Sequence, residues 1–144
     1  MSEIKRTLEW FQQAMPEPTD EQACIQVGVH YEEFGEMLMA NVDDSASIIV
    51  DDLANEYKRC DTQHISLISS MDDDDKKEIL DSLVDQIVTA IGVCHTMGLD
   101  LEGALAEVNR SNFSKFEDGK AVFDENGKIT KGKHYSNPDL KPYI

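Results

Sequence analysis

The residues in this chain best suited to chemistry are acidic, and they fall in two sets. The first is Glu32-Glu33-Phe-Gly-Glu36, preceded by His30 and Tyr31. Glu32 and Glu36 stand at i, i+4 and Glu33 and Glu36 at i, i+3, spacings that share one helix face. The second set is Asp81-Ser-Leu-Val-Asp85, again at i, i+4. Like charges so placed repel unless a cation lies between them. Asp85 stands among Leu83, Val84, Ile87 and Val88, so it is expected away from bulk water, where a lone carboxylate is costly unless paired or metal-bound. If the two helices pack antiparallel, their acidic faces meet in a site of oxygen donors, with no Arg or Lys inside either motif. Such donors suit Mg2+, or Mn2+, rather than zinc. Spacing alone leaves a plainer reading open, because acidic pairs at i, i+4 are common on solvated helix faces.

Positioning these residues requires helices. Ile4, Leu8, Phe11 and Met15 repeat with helical spacing over Glu3 to Met15, and Pro16 and Pro18 end that segment. Thr19 or Asp20 can cap a second helix from about Glu21 to Asn41, which carries the first acidic set. A third, weaker pattern covers Ala46 to Lys58, and the segment from Arg59 to Ser70 has no clear period. The acidic run Asp72 to Asp75 complements the N-terminal dipole of a fourth helix, from about Asp74 to Met97, which carries the second set. Its apolar face, Leu80, Leu83, Val84, Ile87, Val88, Ile91 and Cys94, is too wide for a helix with one solvated side, which predicts a central place in a bundle or a subunit interface. Gly98 stops it, and Asp100 caps a fifth helix to about Asn109. Beyond it, Lys120 to Lys131 reads as a short β-hairpin around Asn126-Gly127. An EF-hand register there fails, since Val122 and Lys133 would fill its first and last ligand positions. The fold class expected is all-α, a bundle of four to five helices with a short C-terminal β-hairpin. It forms one domain over residues 1–144, with a helical core at about 3–112 and a tail at about 113–144.

Bulk properties narrow the functions. The formal net charge is −16 and no basic cluster is present, which argues against binding a nucleic acid polymer. The three cysteines, Cys24, Cys60 and Cys94, form no CxxC pair and are expected to be reduced. No apolar run of membrane-spanning length and no leader are read from the sequence, so the expected location is cytoplasmic, without a membrane partner.

The first motif, Gln26 to Leu38, the second, Asp81 to Gly92, and the stretch Glu107-Val-Asn109-Arg110-Ser-Asn112-Phe-Ser-Lys115-Phe together resemble the MazG-like superfamily. Lys131-Gly-Lys-His-Tyr135 and Pro138-Asp139 complete the resemblance, which covers most of the chain and is nearest to the small MazG-like enzymes of bacteriophages. That group of all-α nucleoside triphosphate pyrophosphohydrolases also holds phosphoribosyl-ATP pyrophosphohydrolase and the dimeric dUTPases. The resemblance implies Mg2+-dependent hydrolysis of a (d)NTP to (d)NMP and pyrophosphate, in a homodimer or homotetramer. It implies Glu32, Glu33, Glu36, Asp81 and Asp85 as metal-site residues, with Glu33 or Glu36 taking the proton of the attacking water. Asn109, Asn112, Lys115, Lys131 and Tyr135 are the substrate contacts it implies. The second motif departs from the usual Glu-x-x-Asp: Ser82 stands three before Asp85, while Glu78-x-x-Asp81 fits one turn earlier. Two other functions stay open, a non-catalytic acidic binding protein and a hydrolase of phosphoribosyl-ATP or a nucleoside diphosphate. The first of these predicts that Asp85 is solvated or paired with a basic side chain.

Overall fold

A computed structural model describes residues 1–144. Six α-helices are present: α1 Glu3–Ala14, α2 Asp20–Ala40, α3 Asp44–Lys58, α4 Thr62–Ser69, α5 Asp73–Met97 and α6 Leu101–Phe113. A 3-10 turn, Lys141–Tyr143, follows them. They fall into two compact units, Pro18–Met71 with Glu125–Lys128, and Met1–Glu17 with Asp72–Asp124 and Ile129–Ile144.

The all-α class holds, but there is one helix more than the expected four to five. α4 is the addition, eight residues in the segment without a clear period, started by the Asp61 carboxylate accepting the His64 N–H at 2.8 Å. The C-terminal β-hairpin does not form. Gly127 does turn left-handed, at φ 75°, but only a single bridge, Phe123 to Ile129, closes around it. An Asn-Gly turn supplies the reversal, and without further cross-strand pairs on either side no ladder extends it.

In the Pro18–Met71 unit, α2 and α3 are joined by a close backbone approach. The Thr19 hydroxyl accepts from Gln22 N–H while the Gln22 side chain takes Thr19 N–H, a reciprocal cap that starts α2. A Cβ placed on Gly28 would lie 2.7 Å from the Ala54 carbonyl oxygen and 2.9 Å from the Lys58 backbone nitrogen. Seven residues on, Gly35 lies against Asp51 and its carbonyl accepts the buried Ser47 hydroxyl at 3.1 Å. Gly28 and Gly35 opposite Ala54 and Ser47 thus let the two helices meet nearly backbone to backbone.

α2 ends in a Schellman arrangement: Asp43 N–H donates to the Leu38 carbonyl and Val42 N–H to that of Met39. The left-handed residue is Val42, at φ 63°, where α5 places Gly98 at φ 74°. A β-branched side chain in that region costs about 1–2 kcal/mol, offset in part by the unfolded-state freedom that glycine adds. Val42 is 84% exposed and gives up little packing. Val42→Gly should therefore raise stability by up to ~1 kcal/mol, and Gly98→Ala should lower it by ~1 kcal/mol. Urea denaturation of both variants checks the signs.

In the other unit α1 packs on α6. Trp10, Ala14 and Phe116 form its core, with Phe11, Met15 and Phe113 against them, and the Trp10 indole N–H donates to the Asn112 carbonyl at 2.8 Å. Trp10 stacks on Phe116, with centroids 5.8 Å apart, so its ring is spent on the core.

α5 differs from the expectation of a covered helix. Its apolar residues are open, with Ile87 51% and Val88 59% exposed. By length and composition α5 is also apolar enough to cross a bilayer, contrary to the sequence expectation that no segment is. Asp81 and Asp85 lie in the same stretch, and each carboxylate would cost about 2.5–3.5 kcal/mol at a bilayer centre.

Candidate functional site

α2 presents the first acidic set along its C-terminal half. Glu33 and Glu36 are exposed and Glu32 is half-buried. Glu32 is held on both sides: Lys58 Nζ donates to Oε1 and Lys128 Nζ to Oε2, each at 2.9 Å. Burial pushes the Glu32 carboxyl up, but the hydrogen bonds and charges of Lys128 and Lys58 outweigh it and hold the group below the ordinary carboxylate value. Neither lysine was foreseeable. Lys58 arrives because the Gly28 contact brings the C-terminal end of α3 onto α2, and Lys128 because Gly127 seats against Ile25. Asp51, from the acidic segment between the motifs, lies against Gly35, next to Glu36.

The second acidic set is on α5. Asp81 and Asp85 are both exposed, and this corrects the expectation that Asp85 is withdrawn from water. The apolar residues around it are exposed too, so no covering surface is there to desolvate it. Within either unit no group of three or more His, Cys, Asp or Glu side chains is arranged to hold a metal ion. The donors nevertheless fit a hard divalent cation in kind, since Glu32, Glu33, Glu36, Asp81 and Asp85 all offer carboxylate oxygen.

The residues expected to contact substrate gather around the C-terminal end of α6, and all but one of them are open to a ligand. Gly132 packs against the Lys115 backbone carbonyl, which a Cβ could not do, and Tyr135 N–H donates to the Gly132 carbonyl at 3.1 Å. Lys115 lies over the Trp10 ring at 5.7 Å and Lys131 over the Tyr135 ring at 4.8 Å. Asn112 is one turn before Lys115. The exception is Asn109, only 1% exposed. Its amide donates to the Glu3 carbonyl at 3.0 Å and to the Glu3 carboxylate at 2.9 Å, and accepts from Thr7 at 2.9 Å. It ties α6 to α1 and presents no face to a substrate.

The tail is fastened by ordinary polar pairs. Arg110 binds Glu107 through two nitrogens, at 2.8 and 2.7 Å, and Glu107 also accepts Asp139 N–H at 2.9 Å. Arg110 and then that N–H pull the Glu107 carboxyl down to about 2 from 4.5. A depressed carboxyl contributes stability above its unfolded value and loses it as pH falls through the folded one. The loss should therefore run from about 4.5 to about 2. Glu107→Gln should flatten the decline of stability across that window, as read by denaturation at stepped pH.

The phosphoribosyl-ATP pyrophosphohydrolase family model matches residues 1–112, which contain all six helices except the last residue of α6 and both acidic sets. No curated protein and no solved structure matches the chain. Superfamily members generally use a divalent metal such as Mg2+. The all-helical fold, the two acidic helices and that match agree: this chain belongs to the phosphoribosyl-ATP pyrophosphohydrolase family, within the MazG-like all-α superfamily.

Proposed function

We propose that this chain is a Mg2+-dependent nucleoside triphosphate pyrophosphohydrolase, cleaving a (d)NTP between the α and β phosphates to give (d)NMP and pyrophosphate. The observation that carries the reading is two helical carboxylate sets in a chain of a pyrophosphohydrolase family. Glu33, Glu36, Asp81 and Asp85 are the proposed cation-holding residues, and Glu32 joins them where the cation displaces Lys58 or Lys128 from one of its oxygens. A divalent cation bound there would neutralise phosphate charge and acidify a water. Glu33 or Glu36 then takes the water's proton on a carboxylate oxygen. Lys58 and Lys128, kept beside the motif by Glu32, offer positive charge to the polyphosphate in a chain of net charge −16. Asn112, Lys115, Lys131 and Tyr135 supply further contacts to the nucleotide.

Phosphoribosyl-ATP is the second substrate reading, and the family match favours it. Both readings are tested by incubating the protein and Mg2+ with a panel of dNTPs, NTPs and phosphoribosyl-ATP. Pyrophosphate from one or more of these is expected. Orthophosphate as the direct product, or turnover of phosphoribosyl-ATP alone, overturns the nucleoside triphosphate assignment.

The working state proposed is a homodimer or homotetramer, with α5 of one copy covered by another. Leu80, Leu83, Val84, Ile87 and Ile91 repeat at helical spacing and are all exposed, an apolar surface rarely left in water. Light scattering should give a multiple of the chain mass, and Ile87→Asp should reduce it to one chain. A wild-type mass of one chain removes the proposal.

A further inference from the structure

Cys24 and Cys60 are far apart in sequence and converge on one atom. Cys24 lies on α2 and is fully buried; Cys60 lies between α3 and α4 and is partly exposed. The Cys24 Sγ is 3.5 Å from the Tyr57 carbonyl oxygen, and the Cys60 Sγ is 3.6 Å from the same oxygen. Cys60 Sγ also lies 3.6 Å from the Glu21 carbonyl oxygen, on the first turn of α2. Reaching the same carbonyl oxygen brings the two sulfurs close together.

The backbone explains how they meet. Cys60 follows the end of α3 in a left-handed conformation, φ 51°, a place helices usually give to glycine. That turn returns its sulfur over the last turn of α3 and onto α2. A buried cysteine and a half-buried one can serve simply as small apolar fillers. A filler gains nothing from a strained left-handed site with its sulfur against a second sulfur, and that juxtaposition marks the pair out.

We propose that Cys24 and Cys60 are a reversible redox pair, oxidised by a low-molecular-weight disulfide such as oxidised glutathione to an intramolecular disulfide that fastens α2 to the end of α3. One protein thiolate attacks the glutathione disulfide, forming a mixed disulfide and releasing one glutathione thiolate. The second protein sulfur then attacks the protein-side sulfur of that mixed disulfide and expels the second glutathione. Two protein thiols lose two electrons and two protons, and oxidised glutathione becomes two thiols. Burial, the neighbouring Cys24, and the charges of Glu21 and Asp61 push the Cys60 thiol up to about 11; burial raises Cys24 as well. The pair therefore rests as a dithiol, and its thiolate supply makes oxidation slow. It responds to sustained oxidant and not to a brief pulse. The bond closes the chain over residues 24–60, around the α2–α3 pair that carries Glu32, Glu33 and Glu36.

The test treats the full chain with excess oxidised glutathione at mildly alkaline pH, then alkylates, digests and maps it by mass. A Cys24–Cys60 linked peptide is expected, with Cys94 still alkylated. The melting temperature should rise by roughly 5–10 °C and return with dithiothreitol. Cys60→Ser should lose both the link and the rise, while Cys94→Ser keeps both. A stable glutathione adduct as the end product, a bridge to Cys94, or both thiols unreacted in the folded wild type would each overturn the pair.

Discussion

Replacing Glu36 by Gln or Asp85 by Asn should lower kcat for pyrophosphate release by about 10²–10³-fold, equivalent to roughly 3–4 kcal/mol of lost transition-state charge stabilisation. Each change removes one negative charge and keeps the side-chain volume. Because both residues are exposed, folding should change by no more than about 0.5 kcal/mol. Circular dichroism and melting curves therefore separate loss of chemistry from loss of structure. The fall should appear in kcat and in kcat/KM together, since the group acts as charge develops. Weaker Mn2+ binding, followed by its paramagnetic signal, should accompany it. Unchanged turnover in both variants would take these carboxylates out of the reaction.

The second large effect is on folding. Gly28→Ala should destabilise the protein by about 2 kcal/mol or more. The new methyl would lie 2.7 Å from the Ala54 carbonyl oxygen and from Lys58 Cγ, and 2.9 Å from the Lys58 nitrogen. Lys58 Cγ can swing aside, but the α3 backbone cannot without parting the helices. Overpacking of this kind costs about 1–3 kcal/mol and sometimes more. The higher helix propensity of Ala returns at most ~1 kcal/mol. Lys58 would also move away from Glu32, so the Glu32 carboxyl should rise toward its ordinary value. Urea denaturation measures the first effect and carboxyl NMR the second. A variant as stable as the wild type would show that the two helices do not touch at Gly28.

The long amphipathic segments were legible because their signals are local. The Thr19 cap, the Asp72 to Asp75 run and Gly98 mark ends that the structure keeps within a residue or so of their expected places. α4 was not legible: eight residues hold too few turns to display a period, and the Asp61 cap was the only signal. The hairpin was over-read, because an Asn-Gly turn specifies a reversal and the strands on either side must be stabilised by other contacts. Asp85 was misjudged because apolar neighbours along a helix show that a face seeks cover, and a single chain need not supply it.

Spacing by itself determined the all-α class and the two carboxylate sets, and the motif stretches carried the likeness to a pyrophosphohydrolase superfamily, since each is written in residues close together along the chain. Only the tertiary structure decided that Lys58 and Lys128 occupy both oxygens of Glu32, that Asn109 is locked between α6 and α1, and that Cys24 meets Cys60. Those partners are separated by tens of residues, and their meeting depends on where glycines and left-handed turns let backbones approach, which no local periodicity encodes.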